Sequence, residues 1–410
     1  MFQINRMSIL TKIRKHGLSG SYRIVKNVLC KPIRPVIYSF FRLLPVKEDL
    51  IIFESEPDFC DNAWALYSYL QTKNKYRFVW VVVNPKQFQE SRDTRFVSRS
   101  GAGLRVKSYY YFSRAAYIIF THCTLPDFVR NGRQVLIYTS HGCAIKAGKG
   151  DGSLLFDYTL SLGENVNDAQ SEFCGCDKKI IIPLGYPRND ILLRNVGRGM
   201  DNPFSTGRNN KVVLWMPTFR ASVQTSLSEN GCDTQTGLPL FAENEAINEL
   251  NEFLKKNDLE IIIKIHHLQA KKPLFREHYS NIVFLTDEEI REAGLQLYEI
   301  VGKSDALITD YSSISFDYCL VDKPLCFILD DMSSYESDRG FVWDNVLRVM
   351  PGHHVFKREY LYGFLLEIKA NVDRFSVIRN SVKRFVFNNA DDRSCERFEV
   401  FFLSNSNLKG

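Results

Sequence analysis

From residue 49 onward the chain repeats short, wholly apolar runs closed by turn residues: "DLIIFES", "YRFVWVVVN", "AAYIIFTH", "QVLIYTSH", "FDYTLSLG" and "KIIIPLG". Runs that are apolar throughout, not at every second position, predict strands covered on both faces, as in a parallel sheet. Helical patterns lie between several of them, such as "DNAWALYSYLQT", with Asp61 placed as an N-cap. The stretch "GRGMDNPFSTGRNN", residues 197–210, is rich in Gly, Asn and Ser and reads as a linker. The strand pattern then restarts with "KVVLWMP", "EIIIKIH", "NIVFLTD", "DALITDYS" and "PLCFILDD". Two such series predict an α/β protein of two doubly wound, Rossmann-like domains whose strand ends face a central cleft.

A length of 410 residues suits two domains, and 45% hydrophobic with 24% charged residues is an ordinary globular composition. Charge changes the picture at one place. Residues 1–47 hold ten Lys or Arg and no Asp or Glu, so the net +6 becomes −4 for the rest. Apolar residues interleave with these cations, as in "PVIYSFFRLLPV". The pattern fits either helices lying on an anionic membrane surface or helices whose apolar side packs on the body. No run approaches the roughly twenty residues that span a bilayer, and no signal-peptide pattern follows the first cations. The expected location is therefore cytoplasmic. The expected layout is a basic segment at 1–47, an N-terminal domain at 48–196, the linker at 197–210, a C-terminal domain at 211–390 and a tail at 391–410. The cysteines lack paired zinc spacing, and "CGC" at 174–176 stands alone, so neither a metal site nor a disulfide frame is expected.

Five segments place polar groups where a predicted strand ends. "TSHGCAIK" offers His141 as a general base or a hydrogen-bonded structural residue, with Gly142 allowing close backbone approach. "IIIKIHH" delivers Lys264, His266 and His267, the first two on one face by strand alternation. "LITDYSSISFDY" closes a strand at Asp310 and sets Ser312 and Ser313 at a helix start, suited to capping and to an anion alike. "WMPTFR" places Thr218 and Arg220 after a strand stop, and "YESDRGF" puts Arg339 before a glycine turn.

Absent signatures narrow the chemistry. "SGAGLRV" lacks the third glycine of a dinucleotide fingerprint, and no GxxxxGK[ST] loop occurs. No Asp-x-Asp pair is present to hold the cation of a metal-dependent sugar-nucleotide transferase. Phosphate neutralisation falls to helix ends, Arg, Lys and His.

Taken in order, "SHGCAIK", "LGYPRND", "MPTFR", "IKIHH", "LITDYSSISFDY" and "RGF" resemble the CDP-glycerol glycerophosphotransferase family of teichoic-acid and capsule polymer synthesis, over roughly residues 49–345. The resemblance implies a GT-B architecture, with the donor nucleotide held mainly by the C-terminal domain and the acceptor approaching from the N-terminal one. The family's His-Gly motif falls on His141 and Gly142, and its Arg-x-His-Pro motif on Lys264 to His267. Ser140 stands where the family usually has Trp, Lys264 where it has Arg, and His267 where it has Pro, departures that leave donor and acceptor identity open between glycerol phosphate and ribitol or another polyol phosphate. The implied catalytic residues are His141 and His266, with Gly142, Thr218, Arg220, Asp310, Ser312, Ser313 and Arg339 around the donor phosphates. CDP-glycerol or another CDP-polyol enters as substrate, with no cofactor, and a lipid-linked or polymeric hydroxyl accepts the polyol phosphate as CMP leaves. Nucleic acid is not an expected partner. The rival readings are a GT-B glycosyltransferase and a non-catalytic polyanion-binding module.

Overall fold

The computed structural model describes residues 30, 32–99, 105–122, 132–148, 155–206, 210–218, 236–265 and 273–404. Contacts divide the chain into two units. The first holds Met1–Ser140, Leu155–Tyr158 and Glu399–Gly410, and the second His141–Leu154 and Thr159–Phe398.

In the first unit, strands β1 (Lys47–Glu54), β2 (Arg77–Val82), β3 (Thr94–Ser98), β4 (Ala115–Phe120) and β5 (Val135–Tyr138) lie in the order β3-β2-β1-β4-β5. All pairs are parallel. Ile51, Ile52 and Phe53 of β1 are fully buried, as their unbroken apolar run requires of a central strand. Phe53 stacks on Trp80 at 5.3 Å, and Tyr67 of helix Asp61–Gln71 meets that pair edge-on.

That helix begins one residue earlier than the Asp61 cap predicts. Cys60 occupies the cap position without a side-chain capping bond, its thiol donating to Pro57 O instead, and the Asp61 carboxylate accepts from the amide of the next residue, Asn62, at 2.7 Å. Asp61 itself sits at φ 62°, which a short polar side chain bonded to nearby backbone tolerates. Asn62 is buried and donates to the carbonyls of Thr139 and Ser140 at 3.3 and 2.9 Å, so the first turn of the helix grips the chain where it leaves β5.

Of the basic segment, residues 1–29 and 31 lie outside the described residues. Helix Arg34–Phe41 packs Tyr38 against Tyr109 at 4.6 Å while Val36 and Phe40 stay 67% and 66% exposed.

The second unit contains the end of β6 (Tyr158–Leu160), whose Thr159 and Leu160 pair in parallel with β7 (Ile181–Ile182). Its main sheet comprises β8 (Lys211–Trp215), β9 (Leu259–Lys264), β10 (Ile282–Leu285), β11 (Ala306–Thr309), β12 (Leu325–Ile328) and β13 (His353–Val355). They are parallel and ordered β10-β9-β8-β11-β12-β13. Alternation decides the packing: Ile261, Ile263, Ile308 and Ile328 face one core together with Ile247, Leu250 and Leu254, spaced three and four apart on helix Asn244–Lys256. Truncating Leu250 to Ala there costs about 2–5 kcal/mol. Residues of the glycine-rich stretch at 197–210 pack on this unit too. Lys323 donates to the carbonyls of Gly197, Gly302 and Ser304 at 2.5, 3.2 and 2.6 Å. A Cβ on Gly199 would stand 2.1 Å from the Asp305 carboxylate.

The strand order reverses between β8 and β11, the switch point at which doubly wound sheets open a crevice beyond their carboxyl ends. Trp215 of β8 is level with Ile263 of β9 and Ile308 of β11, so the segments after these strands leave from one edge.

Candidate active site

Within the second unit, that edge gathers several of the polar groups that the sequence singles out. Asp310, one residue past β11, is 1% exposed, and its carboxylate accepts from the backbone N–H of Thr218 at 2.7 Å and from the Thr218 hydroxyl. Lys146 donates to the same hydroxyl at 3.3 Å. Asp310 thus fixes Thr218, and Thr218 links the β8 exit to the lysine of "HGCAIK".

Residues 144–147 are bound along the "RGF" segment. Lys146 forms an antiparallel bridge with Phe341, the Ala147 N–H donates to Gly340 O at 3.0 Å, and the Val342 N–H donates to Ile145 O at 3.1 Å. The Trp343 indole donates to Ala144 O at 2.8 Å. Gly340 has φ 74°, the left-handed turn that lets the segment double back. Arg339, exposed, flanks that turn.

The His141-Gly142 turn sits against the start of helix Ile314–Cys319. Gly142 has φ 150°, and a Cβ there would lie 1.9 Å from Ser313 Oγ and 2.6 Å from Ser313 Cβ. Only glycine fits both the backbone angle and the space. Ser313 holds the cap position without a side-chain capping bond, with Ser312 just before it. His141 is exposed, its ring 6.2 Å from that of Phe173.

Beneath this turn lies a buried charge cluster. Arg188 and Asp317, 3% and 1% exposed, pair at 2.6 Å, and the other arm of Arg188 donates to His141 O at 2.8 Å. Tyr298 donates to the same Asp317 oxygen at 2.5 Å, and Asn189 donates to the other at 3.0 Å. The guanidinium also lies over the rings of Tyr186 and Tyr298, at 5.4 and 4.8 Å. One arginine therefore holds the histidine's backbone from below. Burial pushes the Cys143 thiol well up, which removes it as a nucleophile.

His141, Gly142, Thr218, Asp310, Ser312 and Ser313 accordingly belong to one connected neighbourhood with Lys146. Lys264 ends β9 and bonds Asp287 at 2.9 Å. Arg220, His266 and His267 lie outside the described residues. Sequence reasoning missed Arg188, Asn189, Tyr298 and Asp317 as a unit. The available signal was Asp317 itself, a charge inside the mostly apolar "ISFDYC", which burial makes costly unless paired. Among the described residues, no group of three His, Cys, Asp or Glu is placed to hold a metal ion.

Two parallel sheets, the second in the order 3-2-1-4-5-6 with polar groups gathered at its switch point, define a GT-B-like α/β protein. Residues 36–401 match the family described as CDP-Glycerol:Poly(glycerophosphate) glycerophosphotransferase, and the chain belongs to that family. It is similar to a teichoic acid glycerol-phosphate transferase of Staphylococcus aureus, 25% identical over 86% of this chain and 92% of the relative. It is also similar to teichoic acid poly(glycerol phosphate) polymerases of Staphylococcus epidermidis and Bacillus spizizenii, each 26% identical, over 80% and 75% of this chain. The chain covers 46% of the first polymerase and 81% of the second. The solved structure of the wall teichoic acid polymerase TagF superposes with a TM-score of 0.70 at 21% identity, over 97% of both chains, and shows the same fold.

Proposed function

We propose that the chain transfers a polyol phosphate, glycerol phosphate foremost, from a CDP-linked donor to an acceptor hydroxyl of a teichoic-acid or capsule polymer. Family membership and the transferase and polymerase names of the relatives support this reading, as does a TagF structure obtained from a CDPG soak. The observation that carries it is the His141-Gly142 turn, seated on Ser313 and braced by Arg188, in the neighbourhood of the switch point of a GT-B-like sheet.

In this reading the acceptor hydroxyl gives its proton to His141 as its oxygen attacks the β-phosphorus of the CDP-polyol. The new O–P bond forms as the bond to the bridging oxygen breaks, and CMP leaves with that oxygen and its electron pair. Lys146, placed by the Asp310-bound Thr218, and the Ser312-Ser313 turn offer donors to the phosphates, with Arg220, His266 and Arg339 as further partners. A divalent metal is not part of the proposed step. The acceptor is lipid-linked or polymeric, and the basic residues 1–47 hold the chain on an anionic membrane surface facing the cytoplasm. No helix among the described residues is long and apolar enough to cross a membrane.

The test is nucleotide release from purified protein given CDP-glycerol, CDP-ribitol and UDP-sugars with a hydroxyl acceptor. CMP is the expected product. UDP release from a sugar donor would establish a glycosyltransferase instead, and saturable polymer binding without any nucleotide release a binding module.

A further inference from the structure

The amino edge of the first unit's sheet carries a second concentration of charge. A cavity of about 240 Å³ is lined there by Lys47, Arg77, Arg92, Arg95 and Arg114. Lys47 and Arg77 are the first residues of β1 and β2, and Arg114 ends helix Val106–Arg114. This is the edge opposite the one from which β5 leads to His141, and doubly wound sheets take their substrates at the carboxyl edge. The cavity is therefore separate from the site described above.

Its charge is only partly answered. Asp49 holds Arg77 through two bonds of 2.5 and 2.7 Å, Glu90 lies 3.5 Å from Arg95, and Asp93 lines the wall. Five cations against these three carboxylates leave an excess of two. Arg114 donates to the Tyr110 hydroxyl at 2.7 Å and to Pro45 O at 3.2 Å. Among the described residues, Lys47, Arg92 and Arg114 have no carboxylate at ion-pair distance. A second cavity, about 340 Å³, shares Arg95, Tyr110 and Tyr111 with the first; Phe41, Phe96, Val97 and Val106 give it an apolar stretch of wall, beside Glu90 and Lys107. The helix that supplies Phe41 also turns Val36 and Phe40 to solvent.

A cationic cavity below the size of a nucleotide pocket, sharing a wall with a cavity that has an apolar stretch, matches a molecule with a phosphate at one end and hydrocarbon at the other. We propose that the two cavities seat an anionic glycerophospholipid, its phosphate among Lys47, Arg77, Arg92 and Arg114 and its acyl chain along Phe41, Phe96 and Val106. The inference rests on the membrane-surface reading above and adds the place where the lipid is held.

The full chain is sedimented with vesicles of phosphatidylcholine, with and without phosphatidylglycerol, while CMP release from a water-soluble acceptor is followed separately. The wild type pellets with the anionic vesicles. The double variant Lys47→Glu, Arg92→Glu loses at least about tenfold in partition, two charge reversals at a surface where each cation counts. Val106→Asp also weakens binding, and both variants keep their circular dichroism and CMP release. If wild type and variants pellet alike, the lipid site is wrong and the membrane-surface reading survives. If the wild type does not pellet, both fall. Displacement from the vesicles by soluble glycerol phosphate as readily as by short-chain phosphatidylglycerol assigns the cavity to free phosphate and overturns the lipid.

Discussion

At the scale of single residues, the tightest constraint falls on Gly142. A methyl group there meets Ser313 at 1.9 Å and must adopt a backbone angle that L residues avoid, at about 1–3 kcal/mol of strain. Gly142→Ala therefore shifts the neighbouring His141, and misplacing a reacting group by about an ångström costs on the order of a hundredfold in turnover. Thermal unfolding measured for Gly142→Ala and for Gly142→Ala with Ser313→Gly, against Ser313→Gly alone, separates the causes: partial recovery of stability in the pair identifies crowding, none identifies the backbone angle. His141→Ala is expected to lower turnover by about two to four orders of magnitude with unchanged thermal unfolding. Wild-type rates from that variant would falsify its role as the base.

At the scale of elements, most strands were plain in the sequence because each is built on an unbroken apolar run, and burial on both faces is what that pattern means, whereas β3 (TRFVS) and β13 (HHV), short and mixed with polar residues, carried no such signal. The neighbourhood of His141, Thr218 and Asp310 was legible for a related reason: polar residues directly after such runs stand at the carboxyl edge. Arg188 and Asp317 were not, since they are 129 residues apart and each resembles an ordinary charge at a helix start. Nothing local marks which distant partner a buried charge takes. Their burial sets the next expectation: Asp317→Ala leaves a guanidinium unpaired and costs about 3–5 kcal/mol in urea unfolding, whereas Arg188→Met with Asp317→Leu costs less than the two single changes combined. An additive result would mean that the pair is not coupled.

A pH expectation belongs to the same scale. His353 on β13 packs between Phe364 and Phe375, and burial lowers its pKa although Glu367 at 3.0 Å, helped by Asp373, pulls upward against Arg374. The folded state therefore keeps it neutral while the unfolded chain takes a proton at about pH 6.5. Stability is lost as pH falls through that value toward the lowered one. His353→Gln should lose less in melting temperature than the wild type between about pH 7.5 and about pH 5.5. An equal loss would place the acid sensitivity elsewhere.

At the scale of the whole molecule, charge is partitioned by sequence: the first 47 residues are strongly basic and the remainder is acidic. Deleting residues 1–29 leaves Tyr38 on Tyr109 and removes six of the ten cations. Vesicle sedimentation should weaken, and what remains should fall further with added salt as screening shortens the reach of the field. Unchanged sedimentation would assign those residues to packing.

The chain's path has a quieter consequence. Residues 399–404 return to the first unit, where Glu399 accepts from the Tyr69 hydroxyl at 3.0 Å and Phe402 covers Tyr158. A premature stop codon at position 399 would spare every motif residue of the second unit and still strip a wall from the first, so that a lesion written after the second unit's last strand would be felt roughly 240 to 330 residues upstream, at Tyr158 and Tyr69.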